Sequence, residues 1–94
     1  MSDKIIYTYT DSEGNPLYRQ VRVQGKDGKS FYSESFINNK WVKGLKNVNR
    51  VLYNLPMVLQ AIKNKQKIYF VEGEKDVDTL TKKGLVATTI ARRS

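Results

Sequence analysis

Over residues 5–10, β-branched and aromatic side chains alternate, which predicts a strand. Residues 11–16 are dense in turn formers, and residues 17–24 return to a strand with Leu17, Val21 and Val23 on one face. Arg19 interrupts that apolar face and is expected near an edge of the sheet. A second turn at 25–29 leads to a third strand at 30–37 with Phe31, Tyr32 and Phe36. Asn38-Asn39 can adopt the positive φ angles of a tight hairpin, and residues 40–43 form a short fourth strand. Together these predict an antiparallel meander. Residues 44–54 are ambiguous: Leu45, Val48, Val51 and Leu52 have helical spacing, but Asn47, Asn49 and Asn54 weaken a helix. A loop with one helical turn or a short strand is expected there.

The second half changes period. Residues 55–64 predict a helix capped by Asn54 or Leu55, with Pro56 in its first turn and Leu55, Val58, Leu59 and Ile62 as the buried stripe. The apolar run 68–71 reads as a strand buried on both faces. Glu72-Gly73 ends it, with Gly73 expected in a sharp turn that a Cβ would obstruct. Residues 74–83 form a helix with Val77 and Leu80 on one face, acids in its first turn and Lys82 and Lys83 in its last. Gly84 suits the position just past its end, and 85–90 resumes as a strand. That is a βαβ unit. The expected class is α+β, with a meander over 1–54 followed by a helix and βαβ unit over 55–94.

Ninety-four residues amount to one small domain, which buries roughly 60–65% of its unfolded surface. No apolar stretch approaches the roughly 20 residues of a membrane span, and no signal-peptide core opens the chain, so a cytoplasmic location is expected. With no cysteine and no histidine, disulfides, a zinc site and a histidine base are excluded. A net charge of +8 favours a polyanionic partner. Lys40, Lys43, Lys46, Arg50, Lys63, Lys65 and Lys67 fall in a stretch without one acid, and Glu72, Glu74, Asp76 and Asp78 follow at once. Trp41 stands amid the first of these cations, the mixture that single-strand binders use. Lys40, Trp41, Lys43, Lys46, Arg50, Lys63, Lys65 and Lys67 are therefore the candidate nucleic-acid contacts. Tyr7, Tyr9, Tyr18, Phe31, Tyr32 and Phe36 add possible stacking faces on the sheet.

Val71-Glu72-Gly73-Glu74-Lys75-Asp76, with a hydrophobic strand before it and Leu80 after it, resembles the first motif of the TOPRIM domain of DNA primases, topoisomerases and related nucleases. Followed by Gly84-Leu85-Val86-Ala87-Thr88-Thr89, it is most similar to primase-like proteins of phages and mobile elements. Asn49-Arg50-Val51-Leu52-Tyr53-Asn54-Leu55-Pro56 resembles the segment that leads into TOPRIM in those proteins, and a weaker likeness reaches back to the Tyr7–Asp11 hairpin.

The resemblance implies metal-assisted phosphoryl chemistry, in which a glutamate acts as general acid/base and a later Asp-X-Asp pair holds Mg²⁺. Glu72 matches that glutamate and Asp76 the acid four residues on, and both are expected to face one pocket. Glu74 and Asp78 are expected only to complement the helix dipole. After Thr89 the sequence reads Ile90-Ala91-Arg92-Arg93-Ser94, without the Asp-X-Asp pair. No cofactor is therefore expected, with Mg²⁺ only if those motifs are supplied, and no catalysis by this chain alone. The expectation is a primase-related accessory protein that binds nucleic acid, single strands above all. Two alternatives stay open: a small interaction protein that inhibits or modulates a host nucleic-acid enzyme, and the N-terminal fragment of an active primase. An unpaired sheet edge beside the βαβ unit is expected to recruit a homodimer partner or another protein.

Overall fold

The computed structural model describes residues 3–45 and 48–90. Four strands come first: β1 (Asp3–Thr10), β2 (Pro16–Gly25), β3 (Gly28–Ile37) and β4 (Lys40–Lys43). They pair antiparallel in sequence order, as a meander. Each turn is set by its residues. Asp11 Oδ1 accepts the backbone N–H groups of Glu13 and Asn15, both at 2.9 Å, which folds the β1–β2 connection. Asn38 and Asn39, at φ 52° and 63°, make the β3–β4 hairpin with the left-handed backbone that asparagine tolerates. The second half contains α1 (Leu55–Lys63), β5 (Ile68–Phe70), α2 (Glu74–Lys82) and β6 (Val86–Thr88). β5 and β6 pair in parallel with α2 as the crossover, so the protein is α+β with a βαβ unit behind the meander.

Alternation along the strands divides the meander's side chains between two faces. Cross-strand rows Tyr9–Tyr18–Ser35, Tyr7–Gln20–Ser33 and Ile5–Arg22–Phe31 share the inner face. Tyr7, Tyr9, Tyr18, Gln20, Ser33 and Ser35 on it are buried. Tyr9 and Tyr18 stack at 4.7 Å between ring centroids, and Leu45, Val48, Val51 and Tyr53 pack around them.

Phenol hydroxyls tie the meander to the second half of the chain. The Tyr9 hydroxyl donates to Glu74 Oε2 at 2.8 Å, joining β1 to the first turn of α2. Tyr18 Oη accepts the Val51 N–H at 3.0 Å and donates to the Val51 carbonyl at 3.1 Å. Tyr53 donates to Asp78 Oδ1 at 2.9 Å, while its own backbone bonds Thr89 and Thr88 of the βαβ unit. Burial, reinforced by the neighbouring carboxylate, pushes the pKa of Tyr9 and of Tyr53 far above the ordinary phenol value, and burial raises that of Tyr18. The folded state thus holds these phenols protonated. Stability is full below the unfolded phenol pKa of about 10 and is lost as pH climbs above it. Alkaline titration should show tyrosinate absorbance from these three rings rising together with loss of circular dichroism. Ionisation of all six tyrosines with the dichroism intact would contradict these assignments.

Four expectations are corrected. Arg19 lies in β2, a central strand, not near an edge, and a cross-strand partner accommodates its charge. In α1 the buried residues are Val58 and Ala61, while Leu59 and Ile62 are exposed, Ile62 by 61%. The helix rests on β6, and a two-stranded sheet is too narrow to cover the wider stripe. For the same reason β5 is not buried on both faces: Phe70 is 61% exposed. Gly73 is extended, at φ −143°, and a Cβ there would meet nothing within 4 Å, so no steric demand fixes glycine at that position. Leu80 turns inward with Val77 as expected, and Gly84 ends α2 at φ 84°. Asn54 is the N-cap of α1, as expected, its carbonyl accepting the Val58 N–H at 3.1 Å, but it is left-handed and its side chain donates to the Ala87 carbonyl at 3.3 Å rather than bonding a helix N–H.

Candidate nucleic-acid interface

The outer face of the meander carries the other half of each strand, including Lys4, Arg19, Val21, Tyr32, Glu34, Phe36, Trp41 and Lys43. Strand register brings Trp41 opposite Phe36, with ring centroids 4.8 Å apart. Arg19, reaching across β3 from β2, lays its guanidinium 4.0 Å from the Trp41 ring centroid. Its Nε donates to Glu34 Oε1 at 2.7 Å, across the β2–β3 pair. Lys43, opposite Glu34 on β4, reaches over the Tyr32 ring at 5.0 Å, and Lys4 of β1 lies 6.0 Å from the same centroid. Three rings and three cations are thus interleaved on one solvent-facing sheet surface. Trp41, Tyr32 and Phe36 are only partly buried there.

Of the expected nucleic-acid contacts, Trp41 and Lys43 meet on this face. Lys40, opposite Ile37, points to the other side of β4, and Arg50 is exposed near Tyr18 behind the sheet. Lys63 ends α1 and Lys65 and Lys67 lie between it and β5, all exposed, with Lys67 5.5 Å from the Tyr69 ring rather than over Trp41. Lys46 lies outside the described residues. Tyr7, Tyr9 and Tyr18 are not stacking faces, because the pleat turns them into the core; Phe31 also faces inward. Arg19 and Lys4 were absent from the sequence-based set. The signal for Arg19 was present: Lys26-Asp27 is a two-residue turn, and counting back from it places Glu34 opposite Arg19.

The acidic group is dispersed. Glu72 is exposed in the segment after β5. Asp76 is exposed on the first turn of α2 and lines a cleft of about 200 Å³ with Tyr7, Arg22, Phe31 and Lys75; Glu72 is not among its lining residues. Glu74, only 4% exposed, serves as the buried acceptor for Tyr9, and Asp78 as the acceptor for Tyr53, so both do more than complement a helix dipole. Among the described residues no three acids come together as a metal would require, so Glu72 and Asp76 do not by themselves fit Mg²⁺. No helix among the described residues is long and apolar enough to cross a membrane. Set against protein-family models, curated proteins and solved structures, the chain has no significant match.

Proposed function

We propose that the protein is a primase-related accessory protein of the kind found in phages and mobile elements, that it works in the cytoplasm, and that it binds nucleic acid on the outer face of the meander. The single observation that carries this is the interleaving of Tyr32, Phe36 and Trp41 with Lys4, Arg19 and Lys43. Bases of any sequence stack on such rings, and the cations take the phosphates between them. A net charge of +8 and the likeness to primase-like proteins around Glu72–Asp76 support the same conclusion. Duplex DNA buries its base faces within the stack, so partly exposed rings among cations favour single strands. Glu72 and Asp76 receive no catalytic role without further acids.

Chemical-shift mapping with a single-stranded oligonucleotide tests the location. Side-chain signals of Tyr32, Trp41 and Arg19 should move most, while those of Tyr9 and Tyr18 stay in place. Perturbations centred on Lys63, Lys65 and Lys67 would move the interface to the βαβ unit.

A second reading has its own observation. Met57, Leu59 and Ile62 of α1 and Tyr69 and Phe70 of β5 are large apolar side chains left exposed. Among the described residues β5 pairs only with β6, leaving a strand edge open. These features suit a protein partner or a second copy. Under this alternative the chain would modulate a nucleic-acid enzyme by docking to it, and the shift mapping would be silent.

A further inference from the structure

We propose that Glu34 is a specificity-determining residue, selecting bases that present an amino donor, cytosine above thymine. This rests on the nucleic-acid reading of the outer face and adds a base preference to it. Glu34 is the one acid that register places on this face of the described strands, amid Arg19, Lys43 and the rings. A surface built only to attract phosphate has no use for a carboxylate at its centre. Its orientation is fixed: Arg19 Nε holds Oε1 at 2.7 Å, and Arg19 itself lies over the Trp41 ring, 4.0 Å from its centroid. The second oxygen, Oε2, has no hydrogen-bond partner among the described residues, and the side chain is 19% exposed. One oxygen is therefore anchored and the other offered, between the Tyr32 ring on one side and the Phe36–Trp41 pair on the other.

Position along the strand supports the assignment. Tyr32 and Phe36 are four residues apart on β3, about 13 Å, with Glu34 midway on the same face. A base stacked on either ring passes its edge over Glu34. Cytosine carries an N4 amino group that donates to a carboxylate, whereas thymine presents an O4 acceptor that the carboxylate repels. The bland account is that Glu34 only positions Arg19. In that case its removal alters affinity for all bases alike.

Binding of homopolymeric dC and dT strands of about twelve nucleotides separates these accounts. The protein should bind dC at least about fivefold more tightly than dT, the low end of discrimination by a good edge contact. In Glu34→Gln the dC preference should fall toward unity, while dT binding improves as a negative charge leaves the face. Equal binding of dC and dT by the unaltered protein overturns the base-selection proposal and leaves the interface standing. An unchanged preference in Glu34→Gln overturns it equally. Binding of neither strand sinks the nucleic-acid interface itself, and the selection with it.

Discussion

Tyr9→Phe is expected to destabilise the protein by about 1–3 kcal/mol while keeping the ring stack on Tyr18. The substitution removes one oxygen, so the change isolates the hydroxyl that donates to Glu74. Glu74 is buried at the start of α2, and a buried carboxylate that loses a donor bears the desolvation cost of its charge. For a small domain, whose stability is commonly 5–15 kcal/mol, that is a large fraction. The same change in a Glu74→Gln background should cost less, because a neutral amide is cheaper to bury without its partner. Urea unfolding of the two single variants and the double variant measures the coupling. Simple additivity would mean that the hydroxyl and carboxylate, 65 residues apart in sequence, do not share a bond that matters for stability.

Trp41→Ala carries the largest expected effect on binding. Trp41 sits on the short edge strand β4, partly exposed, with Phe36 beside it and Arg19 over it. Its removal should leave the tyrosine core and the dichroism spectrum in place. Affinity for a single strand should drop by about 1–3 kcal/mol, the worth of one base stacked on an aromatic ring. Part of the loss comes through Arg19, which would lose its ring contact and its order on the face. Lys43→Ala should act differently, weakening all sequences alike and reducing the salt slope by about one unit. If Trp41→Ala unfolds the chain, the indole is a core residue and the platform is wrongly drawn. If it folds and binds as before, bases do not stack there.

The meander was legible because its strands alternate and its turns are written in Asp11, Gly28, Asn38 and Asn39. The βαβ unit was legible because the period changes at residue 55 and Gly84 punctuates α2. Facing was harder to read. Six aromatic positions on the first three strands look alike in sequence, yet pleating sends Tyr9 and Tyr18 into the core and Tyr32 and Phe36 to the surface. Arg19 reads as a misfit in an apolar stripe until register supplies Glu34 and Trp41. Glu74 reads as a dipole complement, because nothing local to α2 reveals a phenol from β1 above it. Leu59, Ile62 and Phe70 have the spacing and hydrophobicity of buried residues, but periodicity says only which side chains share a face, not whether a neighbour covers it.

The central claim is that the outer face of the meander holds a single strand by stacking and phosphate contact together. Trp41, the only tryptophan, makes it directly measurable by titrating an oligonucleotide against its fluorescence at two salt concentrations. Stacking should quench the emission. Arg19 is already paired with Glu34, so if Lys4 and Lys43 each neutralise one phosphate, log affinity should fall against log salt with a slope of roughly −1.4. Emission that does not change, with no salt-dependent binding at either concentration, would contradict the claim and favour the exposed apolar side of α1 and β5 as the working surface.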